Sequence, residues 1–91
     1  MNIKAPVKVY SLESCPNCDE LKKFLAGEGV DFEDADMASA APLAELRIHG
    51  VFVREAPVLR VGEVFLVSKD LFPGGKLDIS RLRKVLSGEV L

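Results

Sequence analysis

The sequence predicts an α/β fold, a four-stranded mixed sheet with flanking helices, in the order β-α-β-α-β-β-α. Two observations lead to this prediction. Predicted strands, recognised by alternating apolar residues, alternate with predicted helices along the first half of the chain. This order implies a right-handed parallel crossover. Two short apolar runs separated by only two residues then indicate an antiparallel hairpin. With 91 residues, 48% of them hydrophobic, the chain is expected to form a single domain over residues 1–91.

The first strand is predicted over residues 3–10. Near the end of this segment Val7 and Val9 point to one side, while Lys8 and Tyr10 point to the other. This alternation predicts a strand, with Pro6 near its start.

The first helix is predicted directly after the sequence CPNC at residues 15–18. Its proline is tolerated in a first helical turn. Leu21, Phe24 and Leu25 fall on one face at helical spacing, and Gly27 marks the end of the helix.

The next two elements are a second strand and a second helix. The strand is predicted through Val30 and Phe32, and the acidic residues that follow suit a sheet edge. Ser39 is the predicted N-cap of the helix, and Leu43 and Leu46 form its apolar face.

The hairpin is predicted from PVLRV and VFLV, which two residues join, and a last helix follows it. Either Asp78 or Ser80 is expected to cap this helix. Leu71 and Phe72, between the hairpin and the helix, fit either a core position or an exposed docking patch.

Composition excludes several classes of function. The net charge of -2 provides no basic surface for nucleic acid, and the apolar runs are too short to span a membrane. The N-terminus does not resemble a secretory signal. A cytoplasmic protein is therefore expected. A monomer is also expected.

The two cysteines, Cys15 and Cys18, are the residues best suited to carry chemistry. A single C-x-x-C sequence permits a metal site, a structural disulfide or a reactive pair. A structural disulfide across so short a loop constrains the unfolded chain little, and cytoplasmic thiols are normally reduced. Zinc needs four ligands, and the chain offers two cysteines and His49, so no metal site is predicted within one chain. A metal or iron–sulfur carrier that binds through Cys15 and Cys18 at a dimer interface remains an alternative, as does a domain without redox activity.

Several segments together resemble the glutaredoxin branch of the thioredoxin fold. They are the CPNC turn between a strand and a helix, the FEDAD segment, and APV before the hairpin. The resemblance covers about residues 5–88. It implies a thioredoxin fold, a cis peptide bond before Pro57, and a proline ring that faces Cys15.

The resemblance also implies an enzyme, a small thiol–disulfide oxidoreductase that acts without a cofactor. Its expected partners are disulfide-containing protein substrates, and a thioredoxin-type reductase or a low-molecular-weight thiol as electron donor. Cys15 at the start of the helix is the expected nucleophile, because free backbone N–H groups and the helix dipole favour a thiolate there. Cys18, one turn deeper, is the expected resolving thiol.

Five residues are candidates for substrate binding. Pro16 and Asn17 lie between the cysteines, and Ala56 and Pro57 are expected to border the nucleophile. Lys69 follows the hairpin and is a candidate cation at the rim of the site.

The sequence departs from glutaredoxins that use glutathione. Leu12 replaces the usual cation three residues before the first cysteine, and Asn17 replaces the usual aromatic residue. Weak glutathione specificity is therefore expected, with Ser14, Lys69 and Asp70 as the available polar groups. His49 and the acidic segment 33–36 are interpreted as structural features.

Overall fold

The computed structural model describes residues 5–88. Its four strands form one sheet in the order β2-β1-β3-β4, which confirms the predicted thioredoxin-like α/β architecture. The strands are β1 (Val7–Ser11), β2 (Glu33–Asp36), β3 (Val58–Val61) and β4 (Val64–Leu66), and the helices are α1 (Pro16–Gly27), α2 (Ala40–Ile48), α3 (Ser68–Leu71) and α4 (Ile79–Leu86).

The sheet has one parallel and two antiparallel pairings. Strand β1 pairs in parallel with β2, and α1 makes the crossover between them. Strand β3 runs antiparallel to β1, with Val9 opposite Leu59 and Tyr10 opposite Val58. Since β3 and β1 run in opposite directions, the segment before β3 lies at the same end of the sheet as the segment after β1. This end carries the cysteines.

Two apolar layers lie on opposite faces of the sheet. Val7 and Val9 belong to one layer and Tyr10 to the other, which confirms the predicted alternation along β1. The first layer holds the buried residues Leu21 and Leu25 of α1 together with α4 side chains. The second layer is smaller and packs against α2; its buried members are Tyr10, Ala35, Met37, Leu46 and Val58.

Strand β2 begins at Glu33, so the prediction that the strand runs through Val30 and Phe32 is wrong. The reason is the end of α1. The Val30 N–H donates to the Leu25 carbonyl at 2.9 Å, so this backbone group closes the helix and is not free for the sheet ladder. Val30 is nevertheless buried, because its side chain packs in the core.

Two helix N-termini differ in how they are capped. Asp78 caps α4 through a hydrogen bond from the Arg81 N–H at 3.1 Å, which decides between the two candidates. Ser39 occupies the N-cap position of α2 as predicted, but its side chain makes no capping bond. The Ser39 hydroxyl donates instead to Asp36 at 3.0 Å.

The segment after the hairpin forms α3 and a 3₁₀ turn over Pro73–Gly75, two elements that the predicted order does not contain. The Asp70 carboxylate accepts the Val67 N–H at 3.1 Å and so starts α3. Leu71 and Phe72 are buried, which places both residues in the core. No helix within residues 5–88 combines the length and apolarity needed to cross a bilayer.

Helix α2 is tied to the sheet by a polar cluster around Glu45. The Glu45 carboxylate accepts hydrogen bonds from Lys8 at 2.9 Å, from Arg60 at 3.2 Å and from the Tyr10 hydroxyl. These bonds lower the pKa of Glu45, the hydrogen bond from Tyr10 contributing most. Burial and the same carboxylate raise the pKa of Tyr10 above 10.0.

We expect the Glu45 cluster to make the free energy of unfolding depend on pH. Because the folded-state pKa of Glu45 lies below 4.5, its contribution is complete above that pH and is lost as the pH falls through the folded value. Glu45→Gln should cost about 1–2 kcal/mol of unfolding free energy near pH 7. Urea unfolding of both proteins as a function of pH measures this difference, which should shrink below about pH 4. Parallel curves for the two proteins down to low pH would show that this carboxylate is not the cause.

Candidate functional site

Cys15 is the N-cap residue of α1. Its backbone is extended (φ -115°, ψ 99°), and Pro16 follows in the first helical turn. The Cys18 N–H donates to Cys15 Sγ at 3.1 Å, so the sulfur occupies the position of an oxygen in an ordinary N-cap. In the reduced protein the same N–H and the helix dipole would favour a thiolate at Cys15.

The two cysteines differ in exposure. Cys15 is partly exposed, whereas Cys18 is 1% exposed and packs beneath it. The two are joined by a disulfide, with Cα atoms 5.2 Å apart. A reagent in solution can therefore reach Cys15, while Cys18 can be reached only through Cys15 or after local opening.

The peptide bond between Ala56 and Pro57 is cis, as the resemblance implies. Pro57 is buried, and the Ala56 carbonyl oxygen lies 3.9 Å from Cys15 Sγ. In the disulfide form Cys15 Sγ carries no proton, so the two atoms are in contact without a hydrogen bond. In the reduced form the Cys15 thiol could donate a hydrogen bond to the Ala56 carbonyl. The structure thus brings Cys15, Cys18 and Ala56 together, with Pro16 and Asn17 between the cysteines.

The loop that enters α1 starts from a polar anchor at the end of β1. Ser11, the last residue of β1, donates its hydroxyl proton to Asp34 at 2.7 Å, and Lys22 of α1 bonds to the same carboxylate at 2.7 Å. Burial alone would raise the pKa of Asp34, but the bonds from Lys22 and Ser11 outweigh it and the pKa is lowered. Between this anchor and Cys15, Ser14 adopts a left-handed conformation (φ 54°) that turns the chain into the helix.

A groove of about 380 Å³ lies beside the site. One wall consists of Val53, Arg54 and Glu55, directly before Ala56. The other wall is the segment 67–69, which includes Lys69. Lys69 therefore lines a groove whose other segment continues into Ala56, the residue next to Cys15 in the structure.

Arg54 is a groove residue that sequence reasoning missed. Its place two residues before Ala56 was the available signal, but only the fold shows that Lys69 faces the same groove. Asp70 is less available than the sequence suggested. Its carboxylate is bonded to the Val67 N–H and to Arg81, the latter at 3.3 Å.

His49 lies away from the cysteines, as its structural interpretation requires. It follows α2 and stacks against Phe65, with ring centroids 5.0 Å apart. In the part of the chain that the structure describes, no three His, Cys, Asp or Glu side chains are grouped to hold a metal ion. The alternative of a metal or iron–sulfur carrier at a dimer interface needs only Cys15 and Cys18 from each chain, and it stays a hypothesis.

Comparison with protein-family models gives a match to the glutaredoxin model over residues 7–66. This range contains both cysteines and the Ala56–Pro57 bond. A comparison with curated proteins gives no significant match.

Solved structures of similar proteins share this fold. The glutaredoxin-like protein NrdH-redoxin from Escherichia coli is 27% identical with a TM-score of 0.56, over 68% of this chain and 80% of that one. A glutaredoxin from Archaeoglobus fulgidus is 24% identical with a TM-score of 0.62, over 93% and 88% of the two chains. The thioredoxin-like protein BC3987, in a mutant form, is 20% identical with a TM-score of 0.66, over 91% and 96%.

Proposed function

The chain belongs to the glutaredoxin family, and we propose that it reduces protein disulfides by dithiol exchange. In this proposal Cys15 is the nucleophile and Cys18 the resolving thiol. The observation that carries the proposal is the position of Cys15 Sγ, partly exposed at the N-cap of α1, with the Cys18 N–H 3.1 Å away. A thiolate at that atom is both stabilised and accessible.

The exchange takes place in two steps. The Cys15 thiolate attacks one sulfur of the substrate disulfide, which forms a mixed disulfide and releases a substrate thiolate that takes up a proton. Cys18 then loses its proton and attacks Cys15 Sγ. The mixed disulfide breaks, the second substrate thiolate leaves, and the protein retains the Cys15–Cys18 disulfide. Two electrons have moved to the substrate, and a thiol donor must return them.

Substrate contacts are proposed for the residues around Cys15. Pro16 and Asn17 border the sulfur along the chain, and the Ala56 carbonyl lies beside it. With Pro57 buried behind it, Ala56 can offer backbone groups to an extended substrate segment. Lys69 would act farther along the groove.

We propose a thioredoxin-type flavoprotein reductase as the donor in preference to glutathione. Glutathione carries two carboxylates, and Leu12 supplies no cation beside Cys15. The Asp70 carboxylate is already bonded within the protein. The structure of the similar E. coli NrdH-redoxin is described as explaining a thioredoxin-like activity profile, which supports the same choice for this chain.

The experiment compares the two donors with one disulfide substrate. NADPH consumption is followed with a thioredoxin-type reductase, and in parallel with glutathione and glutathione reductase. Since one missing charge-assisted contact costs about one to two decades of affinity, the reductase should be at least about tenfold more efficient. A micromolar KM for glutathione that rises on Lys69→Ala would show that the donor is glutathione.

A further inference from the structure

We propose that the groove beside Cys15 binds an extended segment of the protein substrate and selects an acidic residue near the attacked cysteine. This proposal rests on the proposed disulfide reductase function and names the class of substrate. The acidic side chain would bind to Arg54 and Lys69, which belong to the two segments that line the groove.

The two segments that line the groove are long enough to contact an extended chain. Each wall is a run of three consecutive residues, 53–55 on one side and 67–69 on the other. Three extended residues span about 10 Å, so the groove has room for a short peptide segment. The first wall leads directly into Ala56, whose carbonyl lies 3.9 Å from Cys15 Sγ. A segment in the groove would therefore be continuous with a disulfide presented to Cys15.

The walls offer both apolar and charged contacts. Val53 and Val67 are partly buried and can pack against side chains of the substrate. Arg54 and Lys69 are exposed, and within residues 5–88 neither forms an ion pair. Their charges are therefore available to a carboxylate from another molecule.

One acidic residue opposes this preference. Glu55 lines the same wall as Arg54 and is also exposed, so the charged side chains of the groove sum to +1. This is opposite in sign to the chain as a whole, which carries -2. Glu55 also supplies a test. Its removal should strengthen the preference for an acidic substrate residue, whereas removal of Arg54 and Lys69 should weaken that preference.

Spacing along the chain limits the position of the acidic residue. Arg54 lies only two residues before Ala56, whose carbonyl is 3.9 Å from Cys15 Sγ. A substrate residue that reaches Arg54 is therefore expected within a few positions of the cysteine that reaches Cys15. We expect the selected Asp or Glu two or three positions from the cysteine.

The test uses a set of disulfide peptides that carry Glu, Gln or Lys two positions from the cysteine. Both kcat/KM for reduction and the Kd of a matching peptide with serine in place of cysteine are measured, at low and high salt. The Glu peptide should be favoured over the Gln peptide by about fivefold at low salt and less at high salt. The double variant Arg54→Gln/Lys69→Gln should abolish this preference, and Glu55→Gln should increase it. Lys84→Gln, which removes an exposed cation of α4 outside the groove, should leave it unchanged.

Several outcomes would overturn the proposal. One is a Glu preference that survives the double variant or falls equally in Lys84→Gln. Another is the finding that a mixed disulfide with glutathione is reduced as fast as the Glu peptide, and that the double variant no longer reduces it. The groove would then be a glutathione site. If the Glu peptide binds selectively but no peptide is reduced, the docking surface stands and the reductase function fails.

Discussion

Replacing Cys15 with serine is expected to lower the rate of disulfide reduction by about three orders of magnitude or more. A serine hydroxyl is not ionised near neutral pH, so the hydrogen bond from the Cys18 N–H would no longer stabilise an attacking anion. The remaining thiol, Cys18, is 1% exposed and cannot take over the attack. Turnover of a disulfide substrate with a dithiol donor measures the loss.

The comparison requires that the variant keeps its fold. The far-ultraviolet circular dichroism spectrum and the unfolding transition should match those of the reduced wild-type protein, because serine can still accept the N-cap bond. A Cys15→Ser protein that folds normally and retains a tenth of wild-type turnover would remove Cys15 from the nucleophilic role.

Replacing Cys18 with serine is expected to stop the reaction halfway. Cys15 would still attack, but no thiol would lie beneath the mixed disulfide to release it. The substrate should therefore remain bound to Cys15, and turnover with a protein substrate should fall by about a hundredfold or more. Acid quenching followed by mass spectrometry detects the adduct and identifies the sulfur that carries it.

Cys15→Ser is the matched control for this trap. Its single thiol is buried, so it should form little adduct under the same conditions. If Cys18→Ser accumulates no adduct, or Cys15→Ser accumulates as much, then the assignment of roles by exposure is wrong.

The features that local sequence determines were predicted well. Pro16 after Cys15 indicated a helix start, and the structure places Cys15 at the N-cap of α1. The alternation of Val7 and Val9 with Lys8 and Tyr10 indicated a strand, and these residues lie in β1. In each case the signal and the structure lie within a few residues of each other. The cis bond before Pro57 is different, because only the family resemblance implied it.

The features that depend on distant contacts could not be predicted. Strand β2 starts late because the Val30 N–H closes α1 rather than joining the sheet. The Glu45 cluster joins residues up to 37 positions apart in the chain, with no local pattern to reveal it. The groove could not be predicted either, because Arg54 and Lys69 line the same surface only after the hairpin has folded.

The central claim is that Cys15 and Cys18 together pass two electrons to a substrate disulfide. The most direct test mixes the fully reduced protein with one equivalent of a disulfide peptide, in the absence of any other thiol. Samples quenched in acid over time are then analysed by mass spectrometry. We predict a transient adduct on Cys15, followed by equal amounts of reduced peptide and of protein with the Cys15–Cys18 disulfide. Unchanged peptide, or an adduct on Cys18, would contradict this account.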